Sequence, residues 1–228
     1  MQTSSSNSIS AQRDHIYAEI ETAAQADGRK ASDVTLIAVS KKQPEERIDA
    51  ALEAGLRVFG ENRVQEAQTR WSHRRGQYPD LRLHLIGPLQ TNKAADAVAL
   101  FDVIETVDRE KLAASLAREM QKQNLQRACL IQVNTGDEAQ KAGIHPQDAV
   151  AFSRHCREIH GLNITGMMCI PPVDEEPAMH FALLKKLAAE AGLQVLSMGM
   201  SGDYPTAIRF GATHVRVGSS LFGARPVA

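Results

Sequence analysis

Val34-Thr35-Leu36-Ile37-Ala38-Val39-Ser40-Lys41 is an apolar run of strand length that breaks off on a hydroxyl and a cation. Runs of the same kind recur at 57–60, 81–87, 101–106, 128–134, 164–170, 195–200 and 214–218, most of them ending in Gly, Asn, Ser or Pro. Such runs, bounded by turn residues, predict buried strands. Between them the apolar period changes to that of a helix. Leu112, Leu116 and Met120 recur at i, i+4 and i+8, with Ala113 and Ala117 beside them. Pro146 suits a first helical position and is followed by Ala149, Val150, Ser153 and Cys156. Phe181, Leu184, Leu187, Ala188 and Ala191 share a face that Gly192 closes. An opening helix, with Ile9, Ile16, Ile20, Ala23 and Ala24 on one side, stops at Gly28. Strands alternating with helices predict right-handed crossovers and a parallel sheet. Eight repeats predict its closure into a (β/α)8 TIM barrel. The competing open, doubly wound sheet has no G-x-G-x-x-G opening any of these helices.

Length and composition agree with one domain. A chain of 228 residues with 43% hydrophobic content can fill a single core without staples. Residues 1–9 read as a flexible polar tail and 10–228 as the barrel. With 26 basic against 27 acidic residues, the net charge of −1 leaves no electrostatic footprint for nucleic acid or an anionic membrane. The cluster His73-Arg74-Arg75 reads as a solvated helix end. No apolar run reaches membrane-spanning length, and the N-terminus lacks the core of a signal peptide, so a cytoplasmic location is expected. Cys129, Cys156 and Cys169 are too few and scattered for a disulfide framework. Cys129 and Cys169, in apolar runs, read as small buried hydrophobes, and all three fit a reducing compartment. The eight histidines show no i, i+4 pair within a helix, and no metal is expected.

Barrel chemistry sits at the C-terminal ends of the strands. There the chain offers Ser40-Lys41-Lys42, Gly60-Glu61-Asn62, Gly87-Pro88, Gly199-Met200-Ser201-Gly202-Asp203 and Arg216-Val217-Gly218-Ser219-Ser220. The loops after strands seven and eight are where barrels commonly hold a phosphate, and Ser201, Gly202, Gly218 and Ser219 supply amides and hydroxyls there. A lysine at the end of strand one can condense with an aldehyde once partly deprotonated. Strand alternation leaves Lys41 and Lys42 as equal candidates. His84, mid-strand, reads as a group near the site or as a hydrogen-bonded core histidine. Lys141 reads as a phosphate contact or a surface lysine.

The segments Ala38-Val39-Ser40-Lys41, Phe59-Gly60-Glu61-Asn62-Arg63-Val64-Gln65-Glu66 and His84-Leu85-Ile86-Gly87-Pro88-Leu89-Gln90-Thr91-Asn92-Lys93 carry a resemblance. So do Ser197-Met198-Gly199-Met200-Ser201 and the stretch from Arg216 to Arg225. Together they closely resemble the pyridoxal phosphate homeostasis family, which includes the bacterial YggS-type proteins, over about residues 10 to 226. The resemblance implies a fold-type III barrel like the N-terminal domain of alanine racemase, with pyridoxal 5′-phosphate (PLP) as cofactor. It maps the imine-forming lysine to Lys41 and the phosphate grip to Ser201, Gly218 and Ser219, where many relatives carry threonine in place of Ser219. Asn62 is similar to a residue near the cofactor ring. Arg216 matches an arginine that faces the pyridine nitrogen, unless it serves instead in an ion pair with Asp203 or Glu105. A permanent cation there disfavours protonation of that nitrogen and weakens the ring as an electron sink.

The functional expectation is a carrier that holds PLP in intracellular vitamin B6 homeostasis without efficient turnover, a monomer by family resemblance, with apo PLP-dependent enzymes as candidate recipients. Racemases of this fold add a β-domain after the barrel, whereas this chain stops at Ala228, and two-base racemization needs an acid on each face of the substrate. Of Tyr17, Tyr78 and Tyr204, only Tyr204 stands on the right side of the barrel, at a helix start that suggests capping or packing. The alternatives are an amino-acid racemase using Lys41 with a second base, and a cofactor-free Schiff-base aldolase.

Overall fold

The expected strands all form. In a computed structural model describing residues 8–138 and 140–224, β1 (Thr35–Val39), β2 (Val58–Glu61), β3 (Arg82–Leu85), β4 (Val103–Val107), β5 (Ala128–Val133), β6 (Asn163–Cys169), β7 (Val195–Met200) and β8 (His214–Val217) pair in sequence order. All pairs are parallel, and β8 closes on β1 with Ile37 opposite Arg216 and Ala38 opposite Val217.

The connecting helices are α1 (Ile9–Ala26), α2 (Glu45–Glu53), α3 (Val64–Trp71), α4 (Ala94–Leu100), α5 (Glu110–Gln123), α6 (Pro146–Glu158), α7 (Pro177–Glu190), α8 (Tyr204–Arg209) and α9 (Ser219–Phe222). Leu112, Ala113, Leu116 and Met120 form the buried stripe of α5, as their spacing predicts. Pro146 opens α6, and Gly192, at φ +68°, follows α7 in the left-handed conformation that glycine adopts without penalty. Of the expected N-terminal tail, residues 1–7 lie outside the described residues. Ser8 caps α1 by accepting from the Ala11 amide, and Ile9 is already helical.

Strand alternation sorts the core into two layers. Leu36, Ala38, Phe59, Leu83, Leu85, Ile131, Leu196 and Val215 join one continuous apolar cluster with the helices. The alternate residues His84, Glu105, Gln132, Ser197 and Arg216 are equally buried but polar. Their bonding shows which way they face. Ser197 on β7 donates to Glu105 on β4 at 2.5 Å, and those strands are not neighbours, so the bond runs through the interior.

The structure corrects one sequence expectation. Arg74 is no solvated helix end but only 4% exposed. After α3 the chain turns back, and Arg74 reaches Asp49 Oδ1 at 2.7 Å and Glu45 Oε2 at 2.7 Å on α2, while Arg75 reaches Asp102 at 2.8 Å. The carboxylates that claim these cations lie 25 to 29 residues away in sequence, which is why local reading missed them. Among the described residues no helix is long and apolar enough to cross a membrane.

Candidate functional site

Register gathers the expected residues at one end of the barrel. Val39 pairs with Gly60, and Lys41 and Asn62 each follow two residues beyond that pair, Lys41 in the turn that leaves β1. On the other side Gly218 lies close to Val39: a Cβ added at Gly218 would stand 3.5 Å from the Val39 Cβ and carbonyl oxygen. Arg216, opposite Ile37, lies deeper on the same side. The structure also separates the two lysines: Lys41 is half-buried, whereas Lys42 is exposed with φ +58°.

What holds the Lys41 turn was not read from the sequence. Glu61, fully buried at the end of β2, accepts from Ser40 Oγ at 2.7 Å, Trp71 Nε1 at 3.0 Å and Arg70 Nη1 at 2.9 Å. The Arg70 guanidinium also donates to the carbonyls of Ser40 at 2.9 Å and Gln43 at 3.1 Å, and to Glu45 at 2.9 Å. It thus clamps both ends of the segment carrying Lys41 and Lys42, and Glu61 Oε1 is answered by a cation and two neutral donors while Oε2 is buried with no hydrogen-bond partner. The available signal was an acidic residue at a strand end followed nine positions later by arginine.

Asn62 is fixed by a close backbone approach. A Cβ at Gly87 would lie 2.3 Å from the Asn62 carbonyl oxygen, so only glycine lets the two loops meet. Asn62 Oδ1 is buried with no hydrogen-bond partner. Beside it opens a cavity of about 760 Å³ over the ends of β2, β3 and β4, carrying Arg63, Lys93 and Arg109 against Asp108.

Across the mouth, Ser201 Oγ accepts from the amides of Gly218 at 3.1 Å and Ser220 at 3.4 Å, and Ser220 Oγ donates to the Ser201 carbonyl at 3.3 Å. Those bonds tie the loops after β7 and β8 together, and the exposed Ser219, which opens α9, stands between the two bonded amides.

Arg216 takes neither of the direct ion pairs weighed for it. It donates to Ser197 Oγ at 2.7 Å and to the Cys169 carbonyl at 2.8 Å, and Ser197 passes the contact on to Glu105. His84 Nδ1 meets the other Glu105 oxygen at 2.6 Å, which makes it a hydrogen-bonded interior residue. Burial alone would push the Glu105 carboxyl up, but the His84 hydrogen bond and charge, with Arg216 and Ser197, outweigh it and hold it below the ordinary value. His214, whose ring centroid is 5.8 Å from that of His84, is pushed down to about 4, chiefly by burial. Lys141 pairs with Glu138 at 2.5 Å and reaches the Pro171 carbonyl at 3.4 Å, in the loop after β5. The Tyr204 hydroxyl donates to Glu19 on α1.

The alanine racemase N-terminal domain family matches residues 13–226. A pyridoxal phosphate homeostasis protein of Vibrio cholerae is 42% identical, over 96% of this chain and 97% of the relative. The chain belongs to this family. A second relative of the same name, from Pseudomonas aeruginosa, is 41% identical over 92% of this chain and 93% of its own. PipY of Synechococcus elongatus, solved with PLP bound, is 36% identical, covers 94% of this chain and 100% of its own, and superposes with a TM-score of 0.81. Alanine racemase of Bartonella henselae, at 17% identity and a TM-score of 0.69, shares the fold.

Proposed function

We propose that this chain is a pyridoxal phosphate homeostasis protein that binds PLP at the barrel mouth, with Lys41 as its covalent anchor. One observation supports the assignment: Lys41 follows the end of β1, whose Val39 pairs with Gly60 of β2 on one side and lies close to Gly218 after β8 on the other. The residues fit the cofactor. The orphaned Asn62 Oδ1 offers an acceptor to a ring substituent, and the hydroxyls of Ser201 and of Ser219, at the start of α9, offer donors to the phosphate. The names of the curated relatives and the PLP-bound PipY support the same reading. Bound there, PLP supplies an aldehyde that condenses with amines and a ring that draws electrons from them.

The chain's own residues favour holding over turnover. Arg216, a permanent cation locked by Ser197 and Cys169, keeps a facing pyridine nitrogen unprotonated. Tyr204, the tyrosine nearest the mouth in sequence, spends its hydroxyl on Glu19. A cytoplasmic monomer that limits free aldehyde and supplies apo-enzymes is the biological role this reading implies.

The test is a visible spectrum before and after borohydride, followed by peptide mapping. We expect a yellow protein bleached by reduction, with the mass increment on Lys41. A label on Lys42, or cofactor uptake undiminished in Lys41→Ala, overturns the assignment. Chiral assays address the racemase alternative: racemization at ordinary enzymatic rates that Lys41→Ala abolishes would replace the carrier reading.

A further inference from the structure

Glu110, the first residue of α5, stands between two histidines at the C-terminal end of α6 and just beyond it. His155 lies in the last turn of α6, and His160 follows just after the helix ends. Glu110 Oε1 is 2.6 Å from His160 Nε2, and Oε2 is 3.1 Å from His155 Nε2. The two imidazoles meet edge to face with centroids 5.3 Å apart. All three ligand-capable atoms lie within 4.8 Å of one another. We propose that Glu110, His155 and His160 form a binding site for a divalent transition-metal cation of the zinc class.

Chemistry and geometry both support this. Two imidazole nitrogens and one carboxylate are a donor set that suits zinc and its later first-row neighbours, while magnesium and calcium prefer oxygen alone. Tetrahedral zinc with bonds of about 2.0–2.1 Å spaces its ligand atoms roughly 3.3 Å apart. The carboxylate–imidazole separations of 2.6 and 3.1 Å fall short of that spacing by less than 1 Å, and Glu110 and His155 are exposed enough to rotate that distance. The cation replaces the two hydrogen bonds to Glu110. Each imidazole binds through an unprotonated Nε2, keeps its proton on Nδ1, and releases any excess proton to water. Solvent fills the fourth position.

The backbone assembles the pair of histidines across a helix end. The Ile159 amide bonds to the His155 carbonyl at 2.9 Å and the Leu162 amide to the Cys156 carbonyl at 3.0 Å, so the chain turns and returns His160 to the same side as His155. Cys156 beside them is fully buried in the core and is no competing ligand. A groove of about 710 Å³, lined by Gln121, Asn124 and His160 among others, separates α5 from the end of α6. A cation at this site would fasten the two helices together.

The test is a Zn(II) titration of tag-free, chelator-stripped protein, read by competition with a chromophoric chelator and by melting temperature. We expect one equivalent bound and a melting temperature that rises with zinc. His155→Gln, His160→Gln and Glu110→Gln should each weaken binding about tenfold or more and remove the zinc-dependent rise. His145→Gln, at the exposed two-member pair with Asp137, should leave both unchanged. The visible spectrum of bound PLP should be the same in all four variants, which keeps the result separate from the cofactor assignment. Absence of stoichiometric binding, or binding that survives loss of either His155 or His160 in a variant that melts normally without metal, overturns the proposal.

Discussion

Single residues in the barrel interior carry titration behaviour that their neighbours impose. His214 sits with its ring tilted against that of His84 and with Glu105 and Arg216 in range, yet burial is the first cause of its low value of about 4. The consequence for stability has a definite sign. Between an unfolded-state value near 6.5 and the folded value near 4, the unfolded chain binds the extra proton and the folded one does not. Stability therefore falls as pH drops through that window and shows no further loss from this group below it. The full effect is on the order of 3 kcal/mol. Urea unfolding between pH 4 and 7 should show the slope in the native chain and a shallower one in His214→Gln. An unchanged slope would mean that other groups carry it. Glu105 has the opposite chemistry, a carboxylate kept charged inside the barrel because His84, Ser197 and Arg216 answer it from three other strands.

At the scale of elements, α3 acts as a brace for the ends of β1 and β2. Arg70 ties four groups together: the Ser40 and Gln43 carbonyls, the buried Glu61 and the α2 residue Glu45. Removing it strands Glu61 without its cation, and Arg70→Ala should cost about 3–5 kcal/mol in denaturant unfolding. Arg70→Lys keeps a charge but cannot span two carbonyls and two carboxylates with one ammonium. It should recover part of the stability while the amides of residues 40–43 exchange faster with solvent and PLP dissociates sooner. If exchange at those amides matches the native chain, Arg70 is not a positioning residue for Lys41. The same pair of helices explains Arg74, which α2 neutralises through Asp49 and Glu45.

At the scale of the whole molecule, the three thiols report how completely the core closes. Cys129, Cys156 and Cys169 are free, buried and each pushed up to about 12, with burial as the first cause. The folded protein should react negligibly with a thiol reagent at pH 8 and release three equivalents once unfolded by guanidinium. Fast reaction of even one thiol in the native state would indicate local opening of the helix layer. Much of this architecture was legible in the chain, because strand and helix periods are local properties. Eight apolar runs separated by amphipathic stretches imply a parallel barrel, and barrel chemistry belongs at the ends of its strands. Lys41, Asn62, Ser201, Arg216, Gly218 and Ser219 were singled out as candidates on that ground and on motif resemblance. What the chain could not disclose are contacts made across it. The Glu105–Ser197 bond joins residues 92 apart, Arg70 and Glu61 meet only where α3 folds back on β2, and Glu110 reaches histidines 45 and 50 positions away. The sequence by itself determined the order of elements and the end of the barrel where chemistry belongs. Tertiary structure alone decided which buried charges are answered, because an ion pair depends on distance in space, and closure of the sheet sets that distance.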